Sequence, residues 1–165
     1  MKVFLVRHGD ADAEIPEGLG DEARALTLKA RQALATHFAS VAQRMGPADL
    51  ILTSPLVRAV QTAQILSLTL KHEGPMHAHR SLLPDMPVGA IDSVLKEHAG
   101  QALILVGHQP SMGAMAAHLL ALQSFPKSVN PGTVIGLVLE DGQPESSSAK
   151  LLFYAPPGQT MAEAL

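Results

Sequence analysis

Short apolar runs alternate along the chain with segments in which hydrophobic residues recur about every 3.6 positions. Nearly uninterrupted apolar runs, typical of strands buried on both faces of a parallel sheet, cover residues 3–6, 50–52 and 102–106. Segments of helical periodicity cover residues 28–45, 54–66, 88–98 and 110–120. This alternation predicts a single domain over residues 1–165, with a three-layer α/β/α fold around a mostly parallel central sheet.

Local signals mark where the first helices begin and end. Thr27 is a favourable N-cap for the first helix, and Gly46 followed by Pro47 is a stop signal. After the second strand, we expect Ser54 to cap the next helix and Pro55 to occupy its first position. Each predicted strand is therefore followed closely by a helix start.

The C-terminal part of the chain has the pattern of a hairpin at a sheet edge. Residues 133–139 and 150–154 alternate like strands, and the polar residues 141–148 separate them. Residues 155–158 break regular structure, and residues 159–165 are expected to form a terminal turn or a loose end.

Composition narrows the class of protein. Of the 165 residues, 47% are hydrophobic and 16% charged, which favours a compact globular protein over a disordered one. The net charge of −3 shows no basic excess and argues against nucleic acid as a partner. The absence of cysteine excludes disulfides, thiolate catalysis and zinc–thiolate sites. Because no apolar run is long enough for a membrane span or a signal peptide, we expect a cytoplasmic protein without a membrane partner.

Cationic or potentially cationic side chains lie where each of the three predicted buried strands ends. The tripeptide Arg7-His8-Gly9 follows the first strand, Arg58 lies in the first turn of the helix after the second, and His108 follows the third. The carboxyl ends of parallel strands meet at one edge of a sheet, where α/β proteins bind ligands. The sequence therefore predicts that these side chains converge on one small anion.

Three motifs together resemble those of the histidine phosphatase superfamily, also called phosphoglycerate-mutase-like. They are the opening Arg7-His8-Gly9-Asp10-Ala11, the segment Ser54-Pro55-Leu56-Val57-Arg58-Ala59-Val60-Gln61-Thr62, and Val106-Gly107-His108. The small size and the Asp-Ala pair are similar to the SixA subgroup of phosphohistidine phosphatases. Mutases continue the opening motif with Ser and Asn, where this chain has Ala11 and Glu14, and this departure counts against mutase activity.

The resemblance implies a role for each motif residue. His8 would be the nucleophile that receives the phosphoryl group, and Arg7, Arg58 and His108 would complete the phosphate pocket. We expect His8 to be neutral, with its second ring nitrogen donating to a backbone carbonyl, and His108 to be protonated. Two guanidiniums and an imidazolium would neutralise the transferring group, so that no metal and no cofactor would be required.

A proton donor for the leaving group is the remaining requirement. In the superfamily a carboxylate often lies between the second and third motifs, and Asp85 occupies that place where relatives carry Glu. Asp85 is equally suited to a turn or capping role before the helix at 88–98. Asp10 and Asp12 also lie near the predicted site and could shape its rim, but we assign them no role, because negative charge beside a phosphate is unfavourable.

The substrate class depends on how open the pocket is. Fewer than forty residues separate the Arg58 helix start from Leu95, which leaves little room for a large lid insertion. An open pocket favours phosphate carried on a large molecule, and the resemblance points to phosphohistidine on a protein of a signalling phosphorelay. Two alternatives stay open: a phosphatase of a small phosphoester or nucleotide, and a phosphate-binding module without turnover.

A second group of histidines, His72, His77 and His79, lies near Glu73. Either a metal site or a solvated loop fits this composition. The spacing is irregular and no helix orders it, so the pattern favours a solvated loop.

Overall fold

The computed structural model describes residues 1–140 and 149–165. The strands in this part of the chain are β1 Lys2–Arg7, β2 Leu50–Thr53, β3 Met76–Ala78, β4 Leu103–Gly107, β5 Val134–Leu139 and β6 Ala149–Ala155. They form a single sheet in the order β3-β2-β4-β1-β5-β6. The first four strands are mutually parallel, and β5 and β6 run antiparallel to their neighbours.

The helices of the described residues are α1 Leu28–Met45, α2 Val57–Leu70, α3 Ala90–Glu97 and α4 Ser111–Leu119. The predicted caps of α1 are confirmed. The Thr27 hydroxyl accepts a hydrogen bond from the Ala30 amide at 3.0 Å, and Gly46 ends the helix at a φ of +71°.

Two apolar clusters, one on each face of the sheet, make the predicted three layers. Along β1, Phe4 and Val6 pack into the cluster that contains the buried faces of α1 and α2. Val3 and Leu5 point the other way, into the cluster that contains α3 and α4. Because both faces are covered, the central strands are apolar at nearly every position, and the three-layer α/β/α prediction is confirmed.

The C-terminal hairpin is confirmed, since β5 and β6 pair antiparallel. Its connecting residues 141–148 lie outside the described part of the chain. The last residues fold back onto the sheet rather than hang loose. Tyr154 and Ala162 exchange two backbone hydrogen bonds, of 2.7 and 2.9 Å.

Two local predictions are wrong. The second helix begins at Val57 with Leu56 as its N-cap, so neither Ser54 nor Pro55 takes the expected position. The residues expected to form a solvated loop include strand β3, which pairs with β2 at the edge of the sheet. This strand is only three residues long and largely exposed, so it lacks the apolar pattern by which a buried strand is predicted.

The strand register brings the three predicted motifs to one edge of the sheet. Arg7 at the end of β1 lies beside Gly107 of β4, and Thr53 at the end of β2 lies beside Val106. The fully described connection from α2 to α3 holds only β3 and a 3-10 turn at Arg80–Leu82, so this connection inserts no large lid over the edge. None of the described helices has the length and apolarity needed to cross a membrane.

Candidate active site

Four of the predicted site residues line one cavity of about 320 Å³ at the carboxyl ends of the parallel strands: Arg7, His8, Arg58 and His108. The two imidazole rings lie edge to face, with their centroids 5.0 Å apart. A larger groove of about 880 Å³ between α1 and the C-terminal segment contains none of these four residues. The convergence of these four side chains, rather than the volume of the cavity, therefore identifies the candidate site.

His8 is held as a neutral imidazole with a defined tautomer. Its Nδ1 donates to the carbonyl oxygen of Gly9 at 2.6 Å, and since a carbonyl only accepts, the ring proton lies on Nδ1. Burial lowers the pKa of His8 to about 4, and the charges of Arg58 and Arg7 act in the same direction. The Nε2 atom therefore carries the lone pair at neutral pH, in agreement with the neutral ring expected from the sequence.

A buried threonine joins the loop after β1 to the first turns of α2. The Thr62 hydroxyl accepts from the Gly9 amide at 3.1 Å and donates to the carbonyl of Arg58 at 2.8 Å. The lack of a side chain at Gly9 permits this packing, because a Cβ atom would lie 2.6 Å from Cδ1 of the buried Leu34, which would have to move. The nucleophile and the second guanidinium are thus fixed relative to each other through one side chain.

Carbonyl and carboxylate oxygens hold the two guanidiniums in place. Arg7 donates from Nη1 to the carbonyl of Val129 at 2.9 Å. Arg58, only 6% exposed, donates from Nη1 to the Asp21 carbonyl at 3.0 Å and from Nη2 to the Asp21 carboxylate at 3.1 Å. The same carboxylate accepts from Nε of Arg24 at 2.6 Å, and that bond is the main reason why the pKa of Asp21 is lowered.

Asp21 and Arg24 were missed at the level of sequence. Arg24 lines the cavity and Asp21 bridges it to Arg58. Asp21 begins a short 3-10 helix, Asp21–Ala23, and Arg24 is its C-cap. This segment before α1 has neither hydrophobic periodicity nor a strand end to mark a site. The only available signal was a pair of opposite charges three residues apart.

His108 differs from expectation in its charge. Its Nε2 accepts a hydrogen bond of 2.7 Å from the hydroxyl of Ser54. The Ser54 oxygen in turn accepts from the Leu56 amide at 3.3 Å. Burial lowers the pKa of His108 to about 3, and the neighbouring His8 and Arg58 add to the effect. Without an anion in the cavity, a buried ring among cations favours the neutral form, whereas the expected imidazolium was that of a ring facing bound phosphate.

Unpartnered polar atoms concentrate at the cavity. Among the described residues, the buried side-chain polar atoms without a hydrogen bond are Arg7 Nε, Arg58 Nε, His108 Nδ1 and Thr133 Oγ1. Three of these four belong to residues that line the cavity. Buried polar groups are nearly always hydrogen-bonded in folded proteins, and an oxyanion would offer acceptors to both guanidinium nitrogens.

Asp85 does not line the cavity, although its neighbour Pro84 does. It is exposed and has a left-handed backbone, with a φ of +66°. Its role as proton donor stays a prediction.

Two histidines of the second group, His72 and His79, have structural partners. His72 lies 3.0 Å from the carbonyl of Pro75, and His79 accepts from the Ser81 amide at 3.1 Å. In residues 1–140 and 149–165, no three His, Asp or Glu side chains are placed together as metal ligands.

Comparison with known proteins agrees with this site. Residues 3–83, which contain the first two motifs, match the family model of the histidine phosphatase superfamily (branch 1). An uncharacterized protein of Picosynechococcus sp. is 39% identical over 123 residues, covering 70% of this chain and 71% of the relative. A phosphohistidine phosphatase SixA homolog of Haemophilus influenzae is 28% identical over 166 residues, covering 88% of this chain and 92% of the homolog.

Among solved structures, the protein histidine phosphatase SixA complexed with tungstate has the same fold. The TM-score is 0.82 at 24% identity, and the match covers 95% of this chain and 97% of that structure. Together with the converging motifs, these likenesses show that the chain belongs to the histidine phosphatase superfamily, in which it is similar to the SixA-type phosphatases.

Proposed function

We propose that the protein is a phosphohistidine phosphatase, which hydrolyses the P–N bond of phosphohistidine on a protein through a phosphorylated His8. One observation carries this proposal: Nδ1 of His8 is fixed on the Gly9 carbonyl, so a neutral Nε2 is available in a cavity lined by Arg7 and Arg58. Membership in the superfamily supports phosphatase activity, and the likeness to SixA supports phosphohistidine as the substrate.

The first chemical step transfers the phosphoryl group to the enzyme. The lone pair of His8 Nε2 attacks phosphorus, the bond from phosphorus to the substrate imidazole breaks, and its electron pair returns to the substrate nitrogen. That nitrogen takes up a proton, and we assign Asp85 as the donor of this proton. Arg7 and Arg58 bind the equatorial oxygens where charge develops. Because Nε2 of His108 accepts from Ser54, the ring proton lies on Nδ1 and can be donated to the same group.

The second step releases inorganic phosphate. Water attacks the phosphorus of phospho-His8, the P–N bond to His8 breaks, and a proton of that water returns to the donor. His8 thereby regains its neutral form, which the low pKa of about 4 favours.

The open surroundings of the cavity favour a macromolecular substrate. The connection between α2 and α3 provides no lid, so a phosphorylated side chain can reach His8 while the rest of its protein stays outside. A protein of a signalling phosphorelay fits this requirement.

Release of phosphate from a substrate panel tests the proposal. The panel is a phosphotransfer domain phosphorylated on histidine, free phosphohistidine, p-nitrophenyl phosphate and a nucleoside monophosphate, each with wild type and His8→Ala. We expect the phosphorylated domain to give the highest kcat/KM and His8→Ala to lose about 1,000-fold or more. A nucleotide as the best substrate, or turnover that survives in His8→Ala, would overturn the proposal.

A further inference from the structure

A second cavity adjoins the candidate active site. Its volume is about 520 Å³, far more than a phosphate needs, and it lies between α4 and the chain segment 122–129. The apolar side chains that line it include Val88, Pro110, Ala114, Leu122, Phe125 and Val129. We call this cavity the α4 groove.

The α4 groove borders the phosphate cavity. Gln109 lines both, and its Oε1 accepts from the Gly113 amide at 2.8 Å, which fixes it on α4. Val129 lines the groove while its carbonyl holds Nη1 of Arg7. A molecule that places a phosphoryl group on His8 and extends past Gln109 therefore enters the groove.

Short side chains on α4 keep the groove open. Gly113, Ala114 and Ala117 line it, and a Cβ atom added at Gly113 would lie 3.1 Å from Nε2 of Gln109. Opposite them, Leu122 is 40% exposed although it is apolar. Small residues facing exposed apolar ones are suited to receiving large apolar side chains from a partner.

The charges around the groove favour an acidic partner. The Asp92 carboxylate is engaged by His118, which lies 3.0 Å away and lines the groove. Lys127 also lines it, with its Nζ 5.7 Å from the centre of the Tyr154 ring. The opposite side of the phosphate cavity is polar, with Asp10 and Arg24. A substrate bound at the phosphate cavity can therefore make apolar contacts on the α4 side.

We infer that the α4 groove docks the protein part of the substrate, namely an apolar surface of that protein beside its phosphohistidine, with a carboxylate of the same surface near Lys127. This inference rests on the proposed function and names the surface that would give it specificity. Apolar side chains of that surface would fill the space beside Leu122 and Phe125.

A comparison of two substrates with the same P–N bond tests the inference. The variant Leu122→Glu puts a charge into the groove, and Leu68→Glu makes the same change at an 80% exposed position on α2, outside both cavities. Steady-state kinetics are measured with a phosphotransfer domain phosphorylated on histidine and with free phosphohistidine. Thermal unfolding confirms that both variants are folded.

For Leu122→Glu we expect KM for the phosphorylated domain to rise about tenfold or more, with kcat/KM for free phosphohistidine within about twofold of wild type. Leu68→Glu should leave both substrates unaffected. Wild-type kinetics of Leu122→Glu on the phosphorylated domain would overturn the inference while the proposed function stands. If wild type hydrolyses only free phosphohistidine, the proposed substrate class and this inference both fail.

Discussion

At the scale of single residues, the site depends on two imidazoles kept neutral beside permanent cations. The low pKa values of His8, about 4, and His108, about 3, have burial as their first cause. A neutral His8 is a nucleophile, whereas a protonated ring is not. The ionised Asp21 carboxylate holds Arg58 and Arg24, so the cationic side of the cavity is built before substrate arrives.

The role of Asp85 is tested by substrates that differ only in how much they need a proton donor. Asp85→Asn keeps a residue that tolerates the positive φ. If Asp85 is the acid, kcat/KM should fall about tenfold or more for phenyl phosphate, whose leaving group is poor. The fall should be less than about threefold for p-nitrophenyl phosphate, whose leaving group needs no proton. Equal falls in kcat/KM on both substrates would show that Asp85 is not the proton donor.

At the scale of elements, the site is assembled by register between strands and by bonds from loops to helices. Parallel pairing places the ends of β1 and β4 side by side, and α2 is tied to the loop after β1 through Thr62. The position of His8 relative to Arg58 is therefore a property of packed elements rather than of a flexible loop.

Thr62→Val should break this tie while keeping the side-chain shape. The buried Gly9 amide loses its acceptor, which we expect to cost about 1–3 kcal/mol of unfolding free energy and to lower activity. Thr62→Ser keeps the hydroxyl and serves as the control, with only the methyl group lost. Urea unfolding followed by circular dichroism measures both. A Thr62→Val protein as stable as wild type would show that the tie contributes nothing.

Elements with a strong burial pattern were predictable from sequence, and elements defined by tertiary partners were not. Residues 3–6 and 102–106 are apolar because both faces of their strands are covered. From that pattern the strands, the three layers and the sheet edge that the motifs share could all be predicted. Ser54 reads as a helix cap, but its hydroxyl lies against His108, which is remote in sequence. Asp21 is likewise defined by its contact with the remote Arg58, and Arg24 by its contact with Asp21.

At the scale of the whole molecule, the buried neutral histidines link folding to pH. The unfolded chain binds protons at histidine as the pH falls below about 6.5, whereas folded His8 and His108 resist protonation until about 4 and about 3. The unfolded state then binds more protons than the folded state. The stability that these two neutral histidines contribute is therefore fully present above about pH 6.5 and is lost as the pH falls toward their folded pKa values.

Urea unfolding between pH 7.5 and pH 4.5 tests this linkage. We expect the unfolding free energy of wild type to fall across that range. The double variant His8→Gln/His108→Gln cannot titrate at these positions, so its decline should be shallower. Parallel profiles for the two proteins would mean that these histidines are not held neutral by the fold.

The most direct test of the central claim is rapid-quench trapping of the phosphoenzyme during turnover. Wild-type protein is mixed with a phosphotransfer domain labelled with ³²P on histidine, quenched in alkali, and digested to locate the label. We predict an acid-labile, alkali-stable phosphate on the peptide that contains His8, formed and consumed at least as fast as phosphate is released, and absent in His8→Ala. Phosphate release without label on His8, or an equally labelled His8→Ala protein, would contradict nucleophilic catalysis by this residue.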